Sequence, residues 1–208
     1  MPHNDPSEPL IRRAAGGDSE ALNELLQLNR KRLRHMVAIQ LDSRLQARID
    51  PSDIVQEAMV EASRRFPDYL TSRPLPFYPW LRQLAMDRIR KVHRNHLGRE
   101  RRDVRREVPL QPLLPDESVE QLAAQFVQRT SSPSHRLVRR ELRAKVREAL
   151  ARLNDDDREV LVLRYLEHLS GAEAAAALGI SEAAQRMRQL RALQKFQKLM
   201  TQLLEGDE

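Results

Sequence analysis

The sequence predicts an all-α protein: two small helical domains joined by a flexible basic linker, the C-terminal one a helix-turn-helix. Three observations predict it. Apolar residues recur at helical spacing along most of the chain, and no stretch alternates as a strand does. Asp, Asn or Ser repeatedly stands just ahead of an apolar stripe, where a helix cap belongs. Over residues 98–134 the periodicity gives way to Arg-rich and then Pro-rich sequence, which separates the helices into two groups.

The elements follow in order. Residues 1–17 form an N-terminal tail: Met1 to Pro9 is polar and Pro-rich, expected to be disordered, and Leu10 to Ala15 has room for one or two helical turns before Gly16-Gly17. The first helical domain spans 18–97. Asp18 or Ser19 caps a long helix with Ala21, Leu22, Leu25, Leu26, Leu28, Leu33, Met36 and Val37 on its apolar face. Asp50 caps the next, with Pro51 at its first position and Ile54, Val55, Ala58, Met59 and Ala62 turned inward; it is expected to end near Phe66-Pro67. Asp68 to Pro79, with three prolines, reads as a loop. Pro79 then opens a helix with Trp80, Leu81, Leu84, Ala85, Ile89 and Val92 buried and Arg82, Arg88, Arg90, Lys91 and Arg94 on its other faces.

After the linker, which includes a weak helical stretch around Val119 to Val127, the second domain spans 135–208. A helix from Arg136 to Leu153 carries Leu137, Val138, Leu142, Val146, Ala149 and Leu150 on one side. Asn154 caps the next helix, and Asp155, Asp156 and Asp157 fill its first turn, where the helix dipole favours negative charge. Ser170 and Glu173 form a capping box, Gly179 makes a left-handed turn, and Ser181 caps a last helix reaching Leu204. The short helix before the turn is rich in alanine, which lets the last helix pack closely. Such a unit places its second helix in a DNA major groove. The plain alternative is a helical hairpin with a solvated basic face.

Composition narrows the function. Of 208 residues, 36 are Lys or Arg and 30 Asp or Glu, a modest net charge of +6. The excess is concentrated: Arg88 to Arg106 holds nine basic residues and two acidic ones. A stripe of this kind suits a polyanion. The chain has no cysteine, which excludes disulfides and Cys-based zinc sites. His93 and His96 lie three apart among Arg and Asn and read as polar surface, so no metal site and no cofactor is expected. No Walker loop, dinucleotide fingerprint, zinc-protease motif or nucleophile motif occurs, and no enzyme activity is expected. The N-terminus lacks an apolar secretory stretch and no segment is long enough to span a bilayer, so a soluble cytoplasmic protein is expected, with neither a membrane nor a small-molecule substrate as partner.

With these motifs read, the chain resembles the extracytoplasmic-function (ECF) sigma factors of bacteria. Arg158-Glu159-Val160-Leu161, Leu163-Arg164-Tyr165, Leu178-Gly179-Ile180-Ser181-Glu182 and Arg191-Ala192-Leu193 resemble the family's region 4. Asp53-Ile54-Val55-Gln56-Glu57 looks like its polymerase-binding motif in region 2, and Trp80-Leu81 with Ala85 and Arg88 resembles its promoter-melting helix. The resemblance covers most of residues 20–97 and 136–200.

The resemblance implies a division of labour. Core RNA polymerase and promoter DNA are the partners, and regulation falls to another protein, such as an anti-sigma factor, or to expression level. Asp53, Gln56 and Glu57, spaced to share one helix face opposite Ile54 and Val55, bind the polymerase. Tyr69, Thr71, Ser72, Arg73 and Tyr78 are candidates to hold an unstacked minus-ten base, which recovers about 1–3 kcal/mol on a stacking platform. Trp80 is assigned to the core. Arg82, Arg88, Lys91 and Arg94 track phosphates. Ser181, Gln185, Arg186, Arg188, Gln189 and Arg191 face the minus-thirty-five element. The chain departs from the family pattern at Gln185 and Gln189, where apolar residues are usual, and at Met187 and Leu190, which are apolar where groove-facing residues are usual. Asp87 replaces a usual Asn and Lys91 a usual Asp. A stand-alone helix-turn-helix regulator and a basic helical protein-interaction module are the alternatives, and both leave the Asp53 motif unexplained.

Overall fold

A computed structural model describes residues 7–41, 45, 48–100 and 135–205, with the side chains of 95–100 and 135–140 outside that description. All regular structure among the described residues is helical. The chain divides into two units, Met1–Pro112 and Leu113–Glu208, and the division falls inside the stretch read as a linker.

In the first unit, α1 (Ser7–Ala15) starts within the stretch expected to be a disordered tail. Pro9 stands in its first turn, where a missing N–H costs nothing. Ile11 is buried in the core. Asp18 caps α2 (Ser19–Gln40), accepting from the Ala21 N–H at 3.0 Å. Arg13 reaches across this junction to Asp18 at 2.7 Å and Glu24 at 3.2 Å. Leu28, read as part of the apolar face, is exposed instead.

Asp50 and Pro51 begin α3 (Pro51–Ser72) as expected, the carboxylate accepting from the Ser52 N–H at 2.8 Å. The helix does not stop at Phe66-Pro67, however. It runs through Pro67 to Ser72, so the first five residues of the loop expected from Asp68, about 1.4 helical turns, are helix instead. An interior proline costs about 3 kcal/mol. Aromatic packing offsets it: Phe66 stacks 6.0 Å from Tyr69, and Phe77 and Trp80 close on Tyr69 at 5.7 and 4.5 Å. Each large apolar side chain buried contributes about 1.5–3 kcal/mol. Arg73 ends the helix in the left-handed conformation, with φ 35° and its N–H on the Tyr69 carbonyl at 2.7 Å. Then α4 (Phe77–Glu100) starts two residues before Pro79 and outlasts the expected limit at residue 97. Trp80, Leu81, Leu84, Ala85 and Ile89 join the core, with Val92 partly buried against it.

In the second unit, α5 (His135–Arg152) is followed by α6 (Asp155–Leu161), capped by Asn154, whose side chain accepts from the Asp157 N–H at 2.8 Å. Arg158 joins the two helices: its guanidinium donates to the carbonyls of Leu150 at 2.9 Å, Ala151 at 3.2 Å and Leu153 at 2.8 Å. The last carbonyls of a helix lack a following turn to bond, and of these three Leu150 also accepts from the Leu153 N–H at 3.3 Å. A π turn over Val162–Leu166 continues α6 and buries Val162, Leu163 and Leu166. The sequence carried no signal for it. The capping box of Ser170 and Glu173 opens α7 (Gly171–Leu178). Gly179, at φ 65°, turns the chain into α8 (Glu182–Glu205), which packs on α5, α6 and α7. The linker after Glu100, including Val119 to Val127, and residues 1–6 lie outside the described residues.

Two outcomes test these contacts. Arg158→Ala is expected to lower stability by about 1–3 kcal/mol, because it removes three charge-assisted hydrogen bonds to part-buried carbonyls; urea unfolding of the full chain measures it. The carboxyls of Asp18 and Asp50 are held below the ordinary aspartate range, chiefly by the N–H groups of Ala21 and Ser52. Their folded values are depressed, so the stability they contribute is complete above about pH 4 and is lost as pH falls through the lower folded value. Asp50→Asn is expected to flatten the acid limb of a thermal-unfolding profile.

Candidate nucleic-acid and protein interfaces

Asp53, Gln56 and Glu57 are all exposed on α3, while Ile54 and Val55 on the opposite side are buried. The edge is not free of internal partners. Glu57 forms an ion pair with Arg88 of α4. The Gln56 carbonyl, with its amide oriented to suit its neighbours, accepts from Arg30 at 2.6 Å. Asp53 sits in the first turn, where the helix dipole favours its charge. Val60, one turn beyond Gln56, is 70% exposed and extends the same edge with an apolar surface.

The expected base-binding residues divide. Tyr69 and Tyr78 are 4% and 3% exposed, so neither is an open platform as the structure stands. Tyr69 belongs to the aromatic cluster, and the Tyr78 ring lies 3.7 Å beneath the Arg32 guanidinium. Thr71 and Ser72 are exposed, but on the last turn of α3, where their hydroxyls donate to the carbonyls of Pro67 at 3.1 Å and Asp68 at 3.0 Å. Arg73 is exposed and pairs with Glu8 of α1 at 3.1 Å. The two sit on an open cleft of about 320 Å³ lined also by Ile11, Tyr69, Pro74 and Phe77. The sequence reading missed Glu8 and Ile11, because it placed them in a tail. The spacing of Leu10, Ile11 and Ala14 was the available signal.

Among the cations of α4, Arg82 is 5% exposed and does not lie on the solvated face assigned to it. On the helix it lies about 60° from Ala85 and about 20° from Ile89, both core residues, and shares their side. Arg88 is half-buried against Glu57, whereas Lys91 and Arg94 are exposed. Among the described residues, no group of three or more His, Asp or Glu side chains is placed to hold a metal ion, and no helix is long and apolar enough to cross a membrane.

On α8 the inward and outward sets differ from the expectation. Gln185 is 1% exposed and Gln189 is half-buried, so neither amide points away from the unit. Gln185 Nε2 donates to Gln189 Oε1 at 3.0 Å. Gln189 Nε2 donates to the Tyr165 hydroxyl at 2.8 Å, and Arg164 Nε to Gln189 Oε1 at 3.3 Å. Arg164 also donates to the Leu169 carbonyl. Amides at apolar positions are thus part of the packing between α8 and the π turn. Ser181 accepts from the Ala184 N–H at 3.2 Å as the helix cap. Arg186 and Arg191 are exposed, Arg186 within 3.7 Å of Glu182. Arg188 is half-buried, 3.9 Å from Asp156. Lys195 reaches back to the buried Asp157, fixing the far side of α8 to α6.

Comparison with known proteins places the chain in a family. Residues 143–196 match the family described as Sigma-70, region 4. The chain is 30% identical over 200 residues to the RNA polymerase sigma factor NccH of Alcaligenes xylosoxydans xylosoxydans, covering 94% of this chain and 96% of that one. It is 29% identical over 189 residues to the ECF RNA polymerase sigma-E factor of Escherichia coli, covering 88% of each. A probable sigma factor of Xanthomonas campestris, RfaY, is 31% identical over 140 residues; the match takes in 67% of this chain and only 31% of that longer protein. The solved structure of CnrH in complex with the cytosolic domain of CnrY shares the fold, with a TM-score of 0.57 at 24% identity over 98% of this chain and all of that one.

Burial of the two tyrosines has a measurable consequence. Tyr69→Ala is expected to cost about 3–5 kcal/mol, as removal of a core aromatic does. Thr71→Ala, on the exposed last turn, is expected to stay within about 0.5 kcal/mol of wild type. Fluorescence of Trp80, the single tryptophan of the chain, follows unfolding of this unit directly.

Proposed function

The chain belongs to the ECF group of bacterial RNA polymerase sigma factors, and from that we propose that it binds core RNA polymerase, recognises minus-thirty-five and minus-ten promoter elements and promotes strand separation at initiation. One observation carries this reading: two separately packed units each present an exposed face, acidic on α3 and basic on α8. The α3 edge of Asp53, Gln56 and Glu57 meets the polymerase, with Val60 supplying apolar area at its far end. The α8 face docks in the major groove of the upstream element, with Arg186 and Arg191 reaching the groove or its phosphates. The end of α3 and the cleft beside Arg73 receive an unstacked minus-ten base, and Lys91 and Arg94 hold phosphates nearby. Binding free energy carries each step, so the protein acts without catalytic groups of its own, in the cytoplasm with the polymerase. The CnrH structure includes the cytosolic domain of CnrY. A comparable protein, in the manner of an anti-sigma factor, is the proposed regulator of this chain.

The test is retention of core RNA polymerase by the full chain. Wild type is expected to hold it, and Asp53→Lys to lose at least about tenfold in affinity, the effect of reversing a charge within an interface. Asp53 is preferable to Glu57 as the probe, because Glu57→Lys also breaks the ion pair with Arg88. Failure of the wild type to retain core polymerase sinks the proposal. Retention with no effect of Asp53→Lys moves the interface away from α3.

A further inference from the structure

A buried amide on a helix whose neighbouring large apolar side chains are exposed is the informative case, because a lone exposed apolar residue is ordinary. On α8, Met187 and Leu190 are each 51% exposed, while Gln185 is buried at 1%. Amide and apolar residues have exchanged the places that a solvated amphipathic helix gives them. The hydrogen bonds that Gln189 makes across to Tyr165 and Arg164 oppose a rotation that would restore them, and Gln185 is held to Gln189 on the same buried side. Such a rotation would leave buried donors without acceptors.

The arrangement around the helix is specific. At 3.6 residues per turn, Met187 lies about 200° and Leu190 about 140° from Gln185, so they centre the outward face. Arg186 lies about 100° and Arg191 about 240° from it, one on each flank. All four occupy the first three turns after the Ser181 cap. An apolar centre between two cations fits a surface that is anionic at its margins and apolar at one point. A DNA major groove has phosphates along both edges, and among its standard base edges it carries one apolar group, the thymine 5-methyl.

We propose that Met187 and Leu190 are specificity-determining residues that read thymine 5-methyl groups in the upstream promoter element, with Arg186 and Arg191 holding the flanks. The assignment rests on the reading of α8 as the groove helix and deepens it. Gln185 and Gln189, the side-chain type suited to adenine, are positioning residues that set the rotation of α8.

The thymine-to-uracil exchange tests the proposal, because it removes the methyl and nothing else. Holoenzyme assembled from core RNA polymerase and the full chain first selects duplexes from a promoter library randomised in the upstream block. Competition binding then compares the selected duplex with versions carrying deoxyuridine at each thymine of that block. Wild-type holoenzyme is expected to lose about fourfold in affinity at one or more positions, the factor that one buried methyl group corresponds to. In Met187→Ala or Leu190→Ala that penalty is expected to disappear while binding to the polymerase is retained. Alanine favours the helix, and both sites are exposed, so these variants keep the fold.

Selected blocks without thymine overturn the proposal, as does a wild type indifferent to uracil or a uracil penalty that survives in both variants. If the wild type is indifferent and both variants bind the duplex as tightly, the patch serves a protein partner instead. Those results leave the sigma reading intact. No enrichment of any upstream block over core polymerase alone removes that reading, and the proposal with it.

Discussion

The rotation of α8 about its own axis decides what chemistry the C-terminal unit offers to a partner, and a small polar network sets it. Gln185, Gln189, Tyr165 and Arg164 form a chain of hydrogen bonds between the last helix and the π turn that follows α6. Ala192, Phe196 and Met200 continue the same inward stripe with apolar contacts, and Lys195 ties the helix to Asp157. A polar network within a packing interface is directional in a way that apolar packing is not. It holds one register, and it leaves Arg186, Met187, Leu190 and Arg191 outside.

The N-terminal unit depends on a different constraint. Phe66, Tyr69, Phe77 and Trp80 gather where α3 turns into α4. This cluster carries α3 through Pro67 and brings the left-handed Arg73 to the rim of a cleft shared with α1. Tyrosines that look, in sequence, like open stacking surfaces are structural here. The exposed chemistry lies in the side chains around them: Glu8, Thr71, Ser72 and Arg73. On the opposite edge, the Glu57–Arg88 pair links the proposed polymerase-facing helix to the proposed DNA-facing one.

Much of this was legible in the sequence, for definite physical reasons. Caps at Asp18, Asp50, Asn154, Ser170 and Ser181 were readable because a short side-chain acceptor ahead of an apolar stripe has few other uses. The left-handed Gly179 was readable because glycine alone takes that conformation at low cost. The features that escaped were decided by packing. Helical propensity cannot show that an aromatic cluster outweighs Pro67. The π turn at Val162–Leu166 has an ordinary apolar composition. Arg82 looked solvated because arginine usually is, and the inward turn of Gln185 contradicts its polarity. The departure of Gln185 and Gln189 from the family pattern was visible, but its meaning required the positions of Tyr165 and Arg164.

The proposed role of the chain is to confer promoter choice on a polymerase that lacks it. The most direct measurement maps transcript starts made in vitro by core RNA polymerase on genomic fragments, with and without the full chain. Discrete starts that depend on the chain, and that share an upstream block at constant distance from the start, are the predicted result. Starts that are the same in number and position with and without the chain would contradict it.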